Sequence, residues 1–258
     1  MVRTCAMLAA IVFWGASTAA ANDLCGATIF ADVRLDHDLT CAGNGLTVGA
    51  DRIRINLDGH TITGSGVGVG ISVVGRSDVS IKGGTIRNFV TGVLIANSSG
   101  VVVNNAQLVD HVDGVDVQAG SVGNTIKASH FEGNRTRGIM LRSNTSAIVV
   151  KDNSFVANRV SILVNGPVGS TVKDNTVSSS TLAGIRIGPE ATDNLISDNV
   201  VTSNPAGIEF LVMSGASAVG NLLRANTLAL NACGLKGPVT GNILKENVFQ
   251  SNAADSCP

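Results

Sequence analysis

The sequence contains few aromatic side chains. Among its 258 residues there is no Tyr, one Trp and seven Phe. Proteins that bind neutral sugars tightly usually offer exposed aromatic rings, which bury a large area at low entropic cost. The composition therefore argues against a tight binding platform for neutral glycans.

An excess of charge of one sign is also missing. The chain has 18 basic and 19 acidic residues, and its formal net charge is −1. This balance gives no general attraction to nucleic acid or to anionic lipid, so no nucleic-acid partner is expected. No cofactor motif is found, and Ca²⁺ is not indicated. The sequence leaves metal binding and oligomeric state open.

Long apolar runs are absent after the N-terminal segment. Residues 1–21 combine Arg3, the apolar run Met7–Trp14 and the small residues Ala19-Ala20-Ala21, which is the pattern of a secretory signal peptide. No later stretch approaches the ~20 continuous apolar residues that a membrane-spanning helix needs. We predict a signal peptide over residues 1–21, no membrane span, and a secreted or periplasmic protein.

The cysteines are few, and none forms the Cys-x-x-Cys spacing of a metal or redox site. Cys5 lies in the predicted signal peptide, which leaves Cys25, Cys41, Cys233 and Cys257 and three possible pairings. Cys25 and Cys41 precede the repeat described below, and Cys233 and Cys257 are one repeat apart. We therefore predict the disulfides Cys25–Cys41 and Cys233–Cys257, each contributing ~3 kcal/mol.

The dominant feature of the sequence is a repeat, mostly of 22 to 24 residues, that carries three apolar columns. The first column contains Leu57, Ile81, Val103, Ile126, Val150, Val172, Ile196, Leu223 and Leu244. The second, five residues later, contains Ile62, Ile86, Leu108, Phe131, Phe155, Val177, Val201, Leu228 and Phe249. The third contains Ile71, Val93, Val115, Ile139, Ile162, Ile185, Ile208 and Leu235. Short apolar segments separated by Gly, Asn and Ser predict an all-β fold.

Three strands per period predict a right-handed parallel β-helix, in which every coil gives one strand to each of three parallel sheets and coils stack at ~4.8 Å. The period is too long for a hexapeptide β-helix and too short for propeller blades. We predict a single domain with an N-terminal cap region over residues 22–56 and roughly nine coils over residues 57–258.

An asparagine column lies between the first two apolar columns, at Asn153, Asn175, Asn199, Asn226 and Asn247. Asn tolerates the left-handed backbone that a turn needs. Stacked side-chain amides can also hydrogen-bond from one coil to the next. The column predicts a structural ladder at one corner of the solenoid.

Two stretches carry a resemblance to a known family: Asp51-Arg-Ile-Arg-Ile-Asn-Leu-Asp-Gly-His-Thr-Ile-Thr-Gly64 and Val79-Ser-Ile-Lys-Gly-Gly-Thr-Ile-Arg-Asn-Phe89. With the Gly-Ile/Val and Asp-Asn repeats that follow, they resemble the exported parallel β-helix repeat proteins. This family includes pectate lyases, polygalacturonases, alginate epimerases and NosD-like periplasmic proteins. The resemblance implies a carbohydrate-active or glycan-binding scaffold.

The catalytic motifs of these relatives are not found. The Asp-Pro-His-Asp motif of alginate epimerases is absent, and Asp36-His37-Asp38 matches it poorly. The Gly-His-Gly and Arg-x-Lys motifs of polygalacturonases and the Trp-containing signature of pectate lyases are missing too. Their absence favours a non-catalytic module.

The strongest candidate for chemistry lies on two neighbouring repeats and comprises His111, Asp113, Asp116, Arg135 and Arg137. The register of the repeat predicts that Asp113 stacks on Arg137, that His111 lies beside Arg135 and that Asp116 points outward. A lyase or C5-epimerase of uronate polysaccharides needs a cation beside the sugar carboxylate and a base for the C5 proton. The arginines and His111 are candidates for these roles. The alternative interpretation is a set of salt bridges between coils, which contribute little stability.

Other surface features are weaker candidates for binding. A basic column contains Lys82, Lys127, Lys151, Lys173, Arg224 and Lys245, and adjoining acidic residues are expected to neutralise it. Leu94, Met140 and Leu163 share an outward column and form either a partner patch or scattered surface residues. An insertion over residues 212–217 is expected at the rim of a groove.

Three functions follow, in order of preference. The first is a non-catalytic module that binds an acidic polysaccharide or a cell-envelope glycan. The second is a polysaccharide lyase or C5-epimerase acting on a uronate polymer. The third is a NosD-like periplasmic accessory protein for metal-centre maturation, although the four histidines of the mature chain are not spaced as a copper site.

Overall fold

The computed structural model describes residues 24–213 and 215–258, so the predicted signal peptide lies outside the described residues. These residues form an all-β solenoid of short strands, and the strands stack into three parallel sheets. Strand numbers within a sheet rise by three, so each coil of the chain contributes to sheets A, B and C in turn. The predicted fold class is confirmed.

The strands of each sheet have the following bounds. Sheet A contains β1 (Thr28–Ile29), β4 (Leu46–Val48), β7 (Val69–Val74), β10 (Thr91–Ala96), β13 (Asp113–Val117), β16 (Arg137–Leu141), β19 (Val160–Val164), β22 (Ala183–Ile187), β25 (Ala206–Phe210), β28 (Cys233–Lys236) and β31 (Ala254–Cys257). Sheet B contains β2 (Val33–Arg34), β5 (Arg54–Asn56), β8 (Ser80–Lys82), β11 (Val102–Asn104), β14 (Thr125–Lys127), β17 (Val149–Lys151), β20 (Thr171–Lys173), β23 (Leu195–Ser197), β26 (Leu222–Arg224) and β29 (Ile243–Lys245). Sheet C contains β3 (Leu39–Thr40), β6 (Thr61–Thr63), β9 (Thr85–Arg87), β12 (Gln107–Val109), β15 (His130–Glu132), β18 (Ser154–Val156), β21 (Thr176–Ser178), β24 (Val200–Thr202), β27 (Thr227–Ala229) and β30 (Val248–Gln250).

Strand pairing confirms the three apolar columns, with one exception at the first rung. Ile55, not Leu57, pairs with Ile81, while Ile62 pairs with Ile86 as predicted. The turn between β5 and β6 is therefore two residues longer than the turn between β8 and β9. Leu57 is buried, as Ile55 is. The apolar pattern of the sequence therefore does not show which of the two residues pairs with Ile81.

The core is the interior of the solenoid. Side chains alternate between the two faces of each strand, and the inward residue of most strands is completely buried. Phe131 and Phe155 stack inside with ring centroids 4.7 Å apart. Because each coil presents the same inward columns, one continuous core runs the length of the stack.

The chain changes direction at each corner through a residue with a left-handed backbone. At the corner between sheets B and C these residues include Asp152, Asp174 and Asp198, with φ of 56°, 54° and 56°. The asparagine that follows each of them does not have positive φ, so the prediction that the column Asn adopts that conformation was wrong. The preceding residue makes the bend, and the Asn side chain is thereby directed into the interior, where it is buried.

The asparagine ladder is confirmed, and the structure has one at every corner. Asn175 donates from Nδ2 to Asn199 Oδ1 at 2.9 Å and to the Val150 carbonyl at 3.0 Å. The corner between sheets C and A has a ladder containing Asn134, Asn158, Asn204, Asn231 and Asn252. The corner between sheets A and B has one containing Asn124, Asn194, Asn221 and Asn242. Sequence analysis found only the first.

The two ends of the stack carry the predicted disulfides. Cys25 is bonded to Cys41 and Cys233 to Cys257. The second bridge runs diagonally, because strand pairing sets Cys233 opposite Ala254. The predicted cap region already forms a coil from β1, β2 and β3, so sheets B and C have ten strands each rather than nine.

No helix within the described ranges has the length and apolarity to cross a membrane.

Candidate functional site

His111 lies in the interior, at the corner between sheets C and A. Its side chain is fully buried. The Phe89 N–H donates to Nδ1 at 3.1 Å, and Nε2 lies 3.0 Å from the Ile86 carbonyl, to which it donates in the matching tautomer. Burial lowers the pKa of His111 to about 4, against the opposing effect of these backbone hydrogen bonds. The ring is therefore neutral near pH 7 and shielded from solvent.

Asp113 and Arg137 face outward from sheet A and form an ion pair. β13 and β16 are paired in a register that sets Asp113 opposite Arg137. Arg137 Nη1 donates to both Asp113 carboxylate oxygens at 3.2 Å. Burial raises the pKa of Asp113, while the Arg137 charge opposes the rise. This pair agrees with the stacking expected from the sequence.

Asp116 has a different partner, which the sequence analysis missed. Arg142 contacts both of its carboxylate oxygens, with Nε at 2.7 Å and Nη2 at 2.9 Å. Gln118 Nε2 donates to the same carboxylate at 2.8 Å. Arg142 follows the last residue of β16 and lies outside the repeating strand columns. The periodicity of the sequence therefore does not identify it. The hydrogen bond to the Asp116 carboxylate raises the pKa of Arg142.

Arg135 lies on the outside of the corner where His111 lies on the inside. Its backbone N–H donates to the His111 carbonyl at 2.7 Å, but its own side chain is exposed. Arg159 occupies the equivalent corner of the next coil and is exposed too. Among the described residues, neither guanidinium has a carboxylate within ion-pair distance, unlike Arg87, which contacts Asp110 at 3.2 Å. Arg159 was not among the predicted site residues.

A small apolar cluster lies between these charged groups on the outward side of sheet A. It consists of Met140, Val160 and Leu163, with Leu182 packed against them. Of the three residues in the predicted outward column, Met140 and Leu163 pack together in this cluster and Leu94 does not. Beyond the cluster, Glu209 accepts from Arg186 Nε at 2.7 Å and from Lys236 Nζ at 3.1 Å. The apolar cluster is therefore flanked along the stack by two groups of ion pairs.

Two concave surfaces border this part of sheet A. One, of about 450 Å³, lies at the corner between sheets C and A and includes Arg87, Asp110 and Arg135 in its lining. The other, of about 440 Å³, lies at the corner between sheets A and B and is lined by Gln118, Ala119, Met140, Arg142, Ser143 and Asn165. The first surface thus presents the Arg135 guanidinium, while the second presents amide and hydroxyl groups beside the Arg142 guanidinium.

The other predicted surface features are the basic column of sheet B and the insertion after β25. In the basic column of sheet B, Lys151 contacts Asp152 at 3.5 Å and Lys173 contacts Asp174 at 3.2 Å, which agrees with local neutralisation. The insertion follows the C-terminal end of β25, and within it Met213 and Ala216 form an antiparallel bridge. No group of three His, Cys, Asp or Glu side chains within the described ranges is arranged to hold a metal ion.

Comparison with known proteins identifies a family and a fold. The model of the family described as periplasmic copper-binding protein (NosD) matches residues 53–256. No curated protein sequence gives a significant match.

Three solved structures are similar in fold. An alginate lyase from Paenibacillus sp. str. FPU-7 is 14% identical, with a TM-score of 0.64, over 88% of this chain and 90% of that chain. The periplasmic alginate epimerase AlgG is 14% identical, with a TM-score of 0.60, over 88% and 71%. The tailspike protein of E. coli bacteriophage HK620, in complex with a pentasaccharide, is 12% identical, with a TM-score of 0.61, over 90% and 56%. At these identities the similarity concerns the fold alone.

Proposed function

The chain belongs to the periplasmic copper-binding protein (NosD) family, and from this premise we propose that it is an exported, non-catalytic module that binds an acidic polysaccharide across sheet A. Export is supported by the two disulfides, which persist in oxidising compartments. Binding of a polysaccharide is supported by solved structures of similar fold, among them an alginate lyase and a tailspike bound to a pentasaccharide.

One observation carries the acidic specificity: Arg135 and Arg159 are exposed on adjacent coils and have no carboxylate partner among the described residues. Adjacent coils are ~4.8 Å apart, a spacing comparable with the length of one sugar ring. A guanidinium group binds a carboxylate through two parallel hydrogen bonds. Successive uronate carboxylates can therefore meet successive arginines.

The rest of the face suits sugar rings. A five-residue strand such as β16 or β19 spans ~16 Å, so beside the arginines the face is wider than one sugar ring and extends to the opposite corner. There Gln118, Ser143 and Asn165 offer donors and acceptors to hydroxyl groups. Met140 and Leu163 lie between the two sides and provide a rigid apolar floor.

Two of the predicted site residues, His111 and Asp116, are not available as a base, which supports a non-catalytic role. His111 is buried, and both of its ring nitrogens are in hydrogen-bond contact with the backbone. Asp116 is held by Arg142 and Gln118. A general base must come within hydrogen-bond reach of the proton it removes, and neither side chain is placed to do so.

A second candidate, a uronate lyase or C5-epimerase, is favoured by Asp113 alone. Its pKa is raised by burial, which makes its carboxylate a stronger base, and Arg137 lies beside it. In elimination, Asp113 would take the C5 proton while Arg137 or Arg135 stabilises the charge that develops on the sugar carboxylate. The C5–H electrons would form the C4–C5 double bond, the C4–O bond would break, and the leaving oxygen would keep that electron pair and take a proton from solvent. In this reaction Asp116 would hold Arg142 in position, and His111 would not take part in proton transfer.

Copper, which the family description names, does not fit the described residues. The four cysteines are in disulfides, and His111 is enclosed by backbone. His60 and His130 each contact a carboxylate, of Asp38 and Glu132 respectively. These dispersed side chains do not form the donor set that copper requires.

The proposal is tested by titrating the protein with a polyuronate and with a neutral polysaccharide, while following unsaturated-product absorbance. We expect binding of the polyuronate only, no absorbance change, and weaker binding at high salt. Arg135→Gln/Arg159→Gln should weaken binding on the order of tenfold to a hundredfold, since two contacts of ~1 kcal/mol each lower the binding free energy by ~2 kcal/mol.

Arg224→Gln is the matched control, because Arg224 is exposed on sheet B and also has no ion-pair partner among the described residues. It should bind as the wild type does. Equal binding by the double variant and the wild type would refute the role of the two arginines, whereas a rising absorbance that Asp113→Asn abolishes would favour the lyase.

A further inference from the structure

The last coil of the solenoid differs from all others in leaving its interior columns exposed. In β29 and β30, Leu244 is 37% exposed and Phe249 is only partly buried, although the residues that precede them in the same columns, Leu223 and Leu228, are 1% exposed. The neighbouring Ile243 and Val248 are 51% and 44% exposed. An apolar centre is thus open to solvent at this end.

The opposite end of the stack is closed. Leu35 and Leu39, in the first coil, are 1% and 2% exposed. Leu24 and Cys25 pack against the core there, and Cys25 is tied to Cys41. The strands at this end, β1, β2 and β3, have only two residues each, and short edge strands are poor templates for pairing with another chain.

The exposed end also presents longer strand edges. β29 and β30 have three residues each and β31 has four, and each pairs with a neighbour on one side only. The Cys233–Cys257 disulfide ties β31 to β28, which holds the edge in place. We name this surface, formed by β29, β30 and β31, the C-terminal face.

We infer that the C-terminal face is the interface of a symmetric dimer in which two copies of this chain meet end to end. A fitting partner must offer an apolar centre surrounded by strand edges. The same face of a second copy does so, whereas the N-terminal end of a second copy is closed. A two-fold axis perpendicular to the solenoid axis brings the two apolar centres together and sets the β29 edges antiparallel, the arrangement that permits edge pairing. Such an isologous contact closes after two copies and does not form a filament.

Charge on the rim of the face supports a second copy as the occupant. Lys245 and Glu246 are adjacent and exposed, and neither has an ion-pair partner within the described part of the chain. In the antiparallel register that sets Lys245 of one β29 edge opposite Glu246 of the other copy, the reverse contact forms by symmetry. The rim is therefore complementary to itself.

The test is sedimentation velocity of the full chain over a wide range of concentration. We expect the wild type to form a dimer and no larger species. Leu244→Lys places a charge at the apolar centre and should yield a monomer. Lys245→Glu should weaken the dimer about tenfold, because acidic side chains then face each other at two symmetric positions. Lys245→Glu/Glu246→Lys restores opposite charges and should restore the dimer.

Lys82→Glu is the matched control, since Lys82 is exposed in the same column of sheet B near the other end of the stack. It should dimerise as the wild type does. Should Leu244→Lys fail to fold by circular dichroism, the exposed Lys245 variants still decide the question. A wild type that stays monomeric, a filament, or a dimer that all these substitutions leave unchanged would overturn the inference.

Discussion

His111 acts in the structure as an asparagine of the ladder between sheets C and A. Its Nδ1 accepts from the Phe89 N–H, as Asn134 Oδ1 accepts from the His111 N–H. Its Nε2 lies 3.0 Å from the Ile86 carbonyl, as Asn134 Nδ2 donates to the Leu108 carbonyl at 3.1 Å. An imidazole can thus satisfy the same two backbone groups as a carboxamide.

This position makes stability depend on pH. The pKa of His111 is lowered to about 4 in the folded state, chiefly by burial, against 6.5 for the free side chain. Above pH 6.5 both states are neutral. As pH falls from 6.5 to 4 only the unfolded state gains the proton, so the folded state loses about 3 kcal/mol over that window and nothing more below it.

The measurement compares the wild type with His111→Asn by chemical unfolding at pH 7 and pH 4.5. Asn keeps the ladder contacts but cannot be protonated, so the difference in unfolding free energy should shift by about 2 kcal/mol in favour of the variant at pH 4.5. The charges near this position, on Asp110 and Arg135, are common to both proteins. Parallel pH profiles would contradict the assignment.

The sequence predicted the pairing of Asp113 with Arg137 but misjudged His111. Pairing followed from the register of the repeat, which places residues one period apart on adjacent strands. The orientation of His111 depends on the corner: Asp110, with a φ of 61°, turns the chain so that the next side chain points inward. The residue type at this corner position changes from coil to coil, as Phe89, His111, Asn134 and Ser180 show. The sequence therefore does not reveal a second ladder there, nor the inward orientation of His111.

At the scale of elements, the ladders hold the corners while the apolar columns hold the sheets. Each ladder asparagine accepts from the preceding coil, and its amide donates to the next asparagine or to a backbone carbonyl. Buried backbone groups at a bend have no strand partner, and each one left unsatisfied costs ~1–3 kcal/mol. The ladders therefore allow tight corners without buried unpaired groups.

Asn175→Leu tests this element. The substitution keeps the size of the side chain but leaves the Asn153 N–H and the Val150 carbonyl without their partner. We expect a loss of about 3 kcal/mol in the free energy of unfolding. Thr176→Leu, at the exposed next position, is the control and should cost far less. Equal effects of the two substitutions would show that the ladder contributes nothing specific.

The columns were predictable because period and burial act together over many repeats. A single rung was less certain, as the two-residue shift between Ile55 and Leu57 shows, since both residues are apolar and buried. Arg142 and Arg159 lie just outside strands, where no periodic constraint identifies them. Site residues at corners are therefore the part of this protein that sequence periodicity predicts least well.

At the scale of the molecule, the two ends of the solenoid are built differently. The N-terminal end is closed by packing and by Cys25–Cys41, while the C-terminal face depends on Cys233–Cys257 and leaves Leu244 exposed. In a solenoid each coil contacts only its neighbours. Loss of a terminal restraint should consequently act on the nearest coil and spread no further than the next coils.

Hydrogen exchange of Cys233→Ser/Cys257→Ser tests this locality. The bridge closes a loop of 24 residues, and its loss removes ~3 kcal/mol from the last coil in the loop-entropy model. Amides of β29, β30 and β31 should exchange faster, while those of β16 and β19 keep their protection, because several intact coils separate them from the end. The matched variant Cys25→Ser/Cys41→Ser should accelerate exchange in β1, β2 and β3 instead. Uniform acceleration along the stack in either variant would mean that the solenoid opens as one cooperative unit, since a local restraint would then act on every coil equally.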